Sequence, residues 1–190
     1  MPRTLFAPVR RKPDAMFEIQ PKNAATYRQQ TRRSTVIIAL IFLALAMVLS
    51  TAAVALFGEP GGDNLRFNVG GVFVAVLLMV ALMRSTFWTQ EWMAPAVYGW
   101  QLKRSLMSIT NVMHQVTAAV EQGDPSAMKL LRFYHLGLSQ MHELDGNSSD
   151  HSQLTREMDQ HKARMEALGI DTEQTRLNPA WIEALKQTSR

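Results

Sequence analysis

The side chains with the most chemical potential lie late in the sequence, around two histidines. His135 and His142 are seven residues apart in a stretch with helical periodicity, and Tyr134 and Glu143 are their neighbours. Seven residues are two helical turns, so the histidines share a face but lie about 10.5 Å apart along the axis. That distance is too long for one metal ion, and helical ligand pairs are usually four residues apart. We predict no metal site, no cofactor and no catalytic residue.

A third histidine, His161, interrupts an apolar seam in a later helical segment. The simpler interpretation is a buried ring whose hydrogen bonds are satisfied by a neighbour. The alternative is a packing switch that responds to pH. The candidate interaction or sensor residues are therefore Tyr134, His135, His142 and His161.

Other catalytic chemistries lack the residues they require. The chain has no cysteine, so disulfides, thiolate ligands and thiol nucleophiles are excluded. No serine lies in a nucleophile-elbow pattern, and no glycine-rich loop is suited to bind phosphate. An enzyme is the less favoured interpretation.

Two long apolar runs, residues 35–57 and 67–83, organise the rest of the chain. A bilayer core about 30 Å thick requires about 20 apolar residues in a helix, so the first run is long enough and the second is nearly so. Neither run contains a charged side chain. Small residues four apart, Ala46 with Ser50 and Gly71 with Ala75, would let the helices approach closely, within one chain or between two. We predict a transmembrane helical hairpin over residues 34–88, with an external loop at 58–66.

Basic residues set the expected orientation. Arg32 and Arg33 precede the first span and Arg84 follows the second, whereas the loop contains a single Arg. The positive-inside rule then places both termini in the cytoplasm. The formal net charge of +4 comes from the first 34 residues, and the segment after the spans is slightly acidic. Nucleic acid is therefore not an expected partner.

Aromatic and basic residues flank the predicted spans, where amphipathic rings typically lie at the level of the lipid headgroups. A protein-docking surface is the alternative for the aromatic segment 87–100, in which Pro95 is expected to kink a helix. The predicted membrane-interface residues are Tyr27, Arg32, Arg33, Arg84, Phe87, Trp88, Trp92 and Trp100.

The segments on either side of the spans differ in character. Residues 1–33 contain four prolines and a basic triplet, which predicts a cytoplasmic arm, with helix from Ala24 onward. Residues 89–190 predict a cytoplasmic antiparallel helical bundle. Its helices are expected at about 99–122, 125–144, 150–168 and after Asn178, and no strand signal is present. Gly123-Asp124-Pro125 is expected to end the first helix and begin the second, and Asp150 is expected to cap the third. The apolar seam of the first helix is predicted at Leu102, Leu106, Ile109, Met113, Val116 and Val120, and that of the second at Ala127, Leu131, Tyr134, Leu138, Met141 and Leu144. The predicted fold class is an all-α membrane protein.

Several motifs resemble a family of small bacterial two-span inner-membrane proteins known as a domain of unknown function. These motifs are MFEIQ with TYRQQTRR, then YGWQLKR, then LRFYHLGLSQMHELD, and a late Asn178-Pro179. The resemblance implies a bacterial inner-membrane location and transfers no activity.

We expect a noncatalytic, membrane-anchored interaction module, an accessory subunit or a scaffold. Its expected partners are the lipid bilayer and either further copies of itself or a larger membrane complex. The alternative is a membrane-tethered enzyme or ligand or pH sensor that uses the His135/His142 face. A pocket of converging polar groups near residues 134–143 would favour the alternative, and an exposed apolar seam would favour the module.

Overall fold

The computed structural model describes residues 17–146 and 151–188, which form seven α-helices and one two-stranded sheet. The fold is therefore mainly helical, as the periodicity predicts. Two 3-10 turns, Phe87–Thr89 and Glu91–Met93, precede the third helix. The elements are β1 (Phe17–Glu18), α1 (Ala24–Phe57), α2 (Leu65–Ser85), α3 (Ala94–Thr110), α4 (Met113–Glu121), α5 (Pro125–Asp145), α6 (His151–Ala167), β2 (Arg176–Leu177) and α7 (Pro179–Thr188).

The described chain divides into two compact units. One is Lys22–Trp100, and the other combines residues 17–21 with those from Gln101 onward. The functional division predicted from the sequence, an arm at 1–33, a hairpin at 34–88 and a helical domain at 89–190, stays a prediction. Residues 1–16 of the predicted arm lie outside the described residues, as does Asp150, the expected N-cap of α6.

Helices α1 and α2 are long and apolar enough to cross a membrane. Their 34 and 21 residues correspond to about 50 and 31 Å at 1.5 Å per residue. In the most apolar window of each helix, 0% and 17% of residues are buried. A core helix of a soluble protein would be mostly buried, so these exposed apolar surfaces are typical of helices that face lipid.

The two long helices contact each other through small residues. A Cβ on Gly71 would lie 2.5 Å from the Cα of Ser50, so only glycine permits this approach. Ala75 is fully buried one turn further along α2. The Ser50 hydroxyl also donates to the Asn68 side-chain oxygen at 2.7 Å. The predicted small-residue steps therefore lie between α1 and α2 of the same chain.

The 3-10 turns that follow α2 are held against α1. Ser34 is 2% exposed, and its hydroxyl donates to the Trp92 carbonyl at 2.5 Å. Our prediction that Pro95 kinks a continuous helix is wrong, because Pro95 is the second residue of α3. In a first helical turn the missing N–H of proline leaves no intrahelical hydrogen bond unmade.

Helix α5 is the centre of the second unit, where it contacts α4, α6, α7 and β2. Leu102 and Leu106 of α3 also pack over Gly137 of α5, where a Cβ would lie 2.9 Å from the nearest Leu106 methyl group. Phe133 and Leu130 of α5 are fully buried. The core of this unit therefore surrounds α5 on most sides.

The sequence predicted one helix over 99–122, and the structure has two, interrupted at residues 111–112. Near the break, the Ser108 and Thr110 hydroxyls bond to the carbonyls of Ser105 and Leu106. Such side-chain bonds to the preceding turn compete with regular helix geometry. Val112 is buried at the interruption, whereas the predicted seam residue Met113 is only half-buried.

The turn between α4 and α5 agrees with prediction. Gly123 has φ of 82°, and the Asp124 carboxylate caps α5 by accepting from the Ser126 and Ala127 amides. Pro125 occupies the first helical position.

The predicted seam of α5 is displaced, however. Neighbouring elements cover α5 on several sides, so its most buried residues include Leu130 and Phe133, which are not in the predicted seam. Four residues of that seam are only half-buried: Leu131, Tyr134, Leu138 and Met141.

The expectation of no strand is wrong at one place. β1 and β2 pair antiparallel, with Phe17 opposite Leu177 and Glu18 opposite Arg176. The Arg176 guanidinium donates to the Glu18 carboxylate at 2.8 Å. Two residues are too few to show a period-two pattern, which explains why periodicity does not reveal them. The pairing ties residues 17–18 of the predicted arm to the helical unit.

We predict that Gly71→Leu separates α1 from α2, because its side chain would occupy the space of the Ser50 backbone. The variant should lower the thermal unfolding midpoint of the detergent-solubilised protein by several degrees, as expected for overpacking of about 1–3 kcal/mol. Gly70→Leu is the matched control, because a Cβ there meets no atom within 4 Å. Equal midpoints for the two variants would contradict the close approach.

Candidate ligand-binding cleft

A cleft of about 600 Å³ lies among helices α4, α5 and α6 of the second unit. Its volume falls within the range of about 300–1,000 Å³ that is typical of small-molecule sites. Apolar and polar side chains both contribute to the wall. The lining residues are Met113, Thr117, Leu131, Tyr134, His135, Glu157, Gln160, His161 and Arg164.

Two histidines from different helices meet at this cleft. The rings of His135 on α5 and His161 on α6 pack edge to face, with centroids 5.5 Å apart and an interplanar angle of 82°. His161 Nε2 lies 2.9 Å from the Met128 carbonyl oxygen. A carbonyl can only accept, so Nε2 carries the proton, and Nδ1 of the neutral ring is an acceptor.

His135 is the unusual member of the pair. The residue is 6% exposed, and its Nδ1 is buried without a hydrogen-bond partner. A buried polar atom without a partner typically costs about 1–3 kcal/mol of stability.

A buried arginine supports the two histidines. Arg132 is one helical turn before His135, is 8% exposed, and donates through Nε to the Thr172 carbonyl at 3.1 Å. Its Nη1 also lies 3.5 Å from the Met158 carbonyl. These contacts join α5 to α6 and to the segment before β2.

Burial and positive neighbours keep both imidazoles neutral. Burial, with smaller contributions from His161 and Arg132, lowers the pKa of His135 to about 4, against the opposing effect of Glu157. Burial also lowers the pKa of His161, against the opposing effect of its bond to Met128. At neutral pH the cleft therefore offers ring nitrogens as uncharged donors and acceptors.

The structure brings together three of the four predicted sensor residues. Tyr134, His135 and His161 line the cleft, whereas His142 is half-buried on α5 and does not. His135 and His142 were predicted to share one face of a helix. The ring that contacts His135 is that of His161, which packing of α6 on α5 brings to it. The interpretation of His161 as a buried ring satisfied by a neighbour agrees with its bond to Met128.

Sequence reasoning missed Arg132 and most of the lining of α6. Spacing offered a weak signal, because Glu157 and His161, and also Gln160 and Arg164, are four residues apart and share one helix face. Nothing in the sequence indicated that α5 would receive this face.

The predicted membrane-interface residues all lie in the unit Lys22–Trp100. Arg32, Arg33 and Arg84 are exposed, and Trp88 packs edge to face on Trp100 at 4.9 Å. Phe87 and Trp92 form a second edge-to-face pair, with ring centroids 5.5 Å apart.

Tyr27 differs from the other predicted interface residues. It is 9% exposed, because its hydroxyl packs against Gly99, where a Cβ would collide with it. A packed Tyr27 has less surface available to the headgroups than the sequence suggested.

The Thr117 hydroxyl of the cleft wall donates to the Met113 carbonyl of its own helix, at 3.0 Å. Within residues 17–146 and 151–188, no group of three or more His, Asp or Glu side chains could hold a metal ion.

The fold thus defines a small helical protein that has two candidate membrane spans and a helical unit with a polar cleft. The chain belongs to the family DUF3087, described as a protein of unknown function, whose model matches residues 17–182. No curated protein and no solved structure matches the chain.

We predict that acid destabilises the native chain through His135. Its folded pKa of about 4 is below the ordinary value of 6.5, so the neutral form is favoured by folding. Its contribution is fully present above pH 6.5 and is lost as the pH falls towards 4, by on the order of 3 kcal/mol. His135→Leu should flatten this dependence and raise the unfolding midpoint at pH 7, because it removes the unpaired nitrogen.

The measurement is thermal unfolding of the detergent-solubilised chain, followed by helical circular dichroism from pH 7 to pH 4. His114→Leu is the control, since His114 is exposed on α4 and does not line the cleft. If His135→Leu loses as much stability in acid as the wild type does, His135 is not the cause of the acid destabilisation.

Proposed function

We propose that this protein is a noncatalytic membrane protein whose helical unit binds a small ligand in the cleft among α4, α5 and α6. The observation that carries the proposal is a cleft of about 600 Å³ whose wall brings together His135 of α5 with Glu157, His161 and Arg164 of α6. Ligand sensing was the alternative to the interaction module in the sequence analysis, and the cleft now favours it.

The apolar seams no longer favour an interaction module. The seam residues that could have formed an exposed apolar surface for a partner are buried within their own unit, including Leu102, Leu106, Ile109, Val116 and Val120. The sequence left the small-residue steps open to contact within one chain or between two, and Gly71 of α2 contacts Ser50 of α1 in the same chain. That the chain forms a homo-oligomer or joins a larger membrane complex stays a prediction, and neither the apolar seams nor the small-residue steps now support it.

The proposed membrane anchor is the helix pair α1–α2, arranged as a transmembrane hairpin. Its support is the length of both helices, their exposed apolar surfaces and the absence of charge from 35–57 and 67–83. Packing of Gly71 against Ser50 is suited to a lipid environment, where close backbone approach drives helix association. If Arg32, Arg33 and Arg84 lie on the cytoplasmic side of a bacterial inner membrane, as the positive-inside rule favours, both termini are in the cytoplasm.

We expect reporter fusions to give opposite signals at the loop and at the C-terminus. A periplasmic reporter should be active after Asp63, and a cytoplasmic reporter should be active after Arg190, because the Arg-rich ends of both spans stay inside. The fused protein should also stay in the membrane fraction after alkaline extraction. A periplasmic signal from the C-terminus would contradict the proposed orientation.

We expect the small-molecule fraction of the native host cells to raise the thermal unfolding midpoint of the purified chain, since ligand binding to the folded state stabilises it. Thr117→Trp should abolish the increase by filling the cleft. His114→Trp, an exposed substitution on the same helix outside the cleft, should retain it. An increase that survives Thr117→Trp, or no increase for the wild type, would contradict ligand binding at this site.

A further inference from the structure

Three arginines lie at a similar level at one end of the α1–α2 pair. Helix α2 runs back alongside α1, with Gly71 against the backbone of Ser50. From this contact α1 extends back about 26 Å to Arg33, and α2 extends on about 20 Å to Arg84, at 1.5 Å per residue. Arg32 is one residue further along α1. We name these three arginines the basic rim, since they lie within about two helical turns of one another along the helix axes.

No acidic side chain pairs with the basic rim among the described residues. Arg32, Arg33 and Arg84 are exposed, and none of them forms an ion pair with another described residue. The packed face of α1 is marked by Ser34, whose hydroxyl donates to the Trp92 carbonyl. Successive helical residues are about 100° apart, so the two arginines that precede Ser34 lie on other sides of α1. The rim therefore presents three guanidinium groups to the surroundings of the pair.

The two ends of the α1–α2 pair differ in charge. At the end with the basic rim, residues 22–34 and 84–100 contain five basic residues and one acid, Glu91. At the loop end, residues 58–66 contain one basic residue, Arg66, and two acids. A negatively charged partner is therefore attracted to the end with the rim, and Arg66 is an exposed arginine at the other end.

The basic rim adjoins apolar surface. Val36 and Leu40, which follow the rim on α1, are exposed, and so is Val80, which precedes it on α2. Aromatic rings lie at the same end, where Trp88 packs on Trp100 with ring centroids 4.9 Å apart. A partner that covers both the rim and this surface needs a negative group joined to an apolar body. An anionic phospholipid has both parts, whereas a free phosphate has only the first.

We propose that the basic rim selects anionic phospholipids, whose phosphate groups bind Arg32, Arg33 and Arg84 while their acyl chains lie along α1 and α2. The inference rests on the proposed membrane anchor and is independent of the cleft. A guanidinium can donate to two phosphate oxygens at once, and near a bilayer surface each basic side chain strengthens binding to anionic lipid by about fivefold. The positive choline of a zwitterionic lipid cancels the charge that the rim attracts.

The test compares two spin-labelled lipids in a bilayer that contains the full chain. The protein is reconstituted in dioleoylphosphatidylcholine vesicles with a trace of phosphatidylglycerol or phosphatidylcholine, labelled near the end of one acyl chain. Electron spin resonance measures the fraction of each label that the protein immobilises. At low salt the phosphatidylglycerol label should associate with the protein about twofold to fivefold more strongly, because lipids at the rim are averaged with those elsewhere. The preference should disappear at about 1 M salt, where charges are screened beyond about 3 Å.

Variants locate the preference. Arg32→Gln/Arg33→Gln/Arg84→Gln should make the two labels associate equally, whereas Arg32→Lys/Arg33→Lys/Arg84→Lys should retain the preference because it keeps the charge. Arg66→Gln is the matched control and should also retain it, since it removes an exposed arginine from the loop end. Should the triple Gln variant fail to insert, Arg84→Gln alone still decides, because it should reduce the preference in part. A preference that survives the loss of the rim, or that Arg66→Gln abolishes, would overturn the proposal.

Failure of this proposal differs from failure of the membrane anchor. If the protein immobilises neither label, the proposed membrane insertion is wrong, and lipid selection with it. If it immobilises both labels equally, the anchor stands and lipid selection is wrong. Glycerol phosphate added to the buffer should leave the phosphatidylglycerol label immobilised. If it releases the label at low salt while the same concentration of sulfate does not, the rim binds a free phosphate and lipid selection is wrong.

Discussion

A guanidinium buried beside α5 constrains the candidate site and the elements around it. Arg132 is 8% exposed and bonds to the carbonyls of Met158 and Thr172, which are far along the chain. A buried cation must keep such partners, because an unpaired charge in a protein interior is very costly. Helix α6 and the segment before β2 are therefore held at α5. Burial is the main reason that the pKa values of His135 and His161 are lowered, and the positive charge of Arg132 lowers both of them further.

The elements that periodicity and capping chemistry specify locally could be predicted from the sequence. The start of α1 at Ala24, the turn at Gly123-Asp124-Pro125 and the two long apolar helices agree with the structure. Features that depend on contacts between distant segments could not be predicted. The two-residue strands β1 and β2 are too short for a pattern. The apolar spacing of the 99–122 segment continues across the interruption at residues 111–112, so it gives no sign of the break.

The candidate site was predicted in part, because a single sequence shows which residues share a helix face but not which faces meet. Tyr134, His135 and His161 were identified by residue type, and all three line the cleft. His142 was grouped with His135 by spacing along α5, yet the ring that contacts His135 comes from α6. Arg132 reads in the sequence as an ordinary surface cation. Its burial follows from the covering of α5 on several sides, which no local pattern encodes.

Close backbone approach at glycine is the feature that the two units share. Gly71 permits α2 to contact the Ser50 backbone, and Gly137 permits α5 to receive Leu102 and Leu106 of α3. In each case the helices pack closely because glycine has no side chain. The pattern of hydrophobic residues does not show which glycines lie at such contacts. Gly70, next to Gly71, faces open space, so adjacent glycines of equal appearance in the sequence differ in role. The register between helices therefore depends on single glycines. Gly137 is one of them, and it affects the placement of α5, the helix that carries His135.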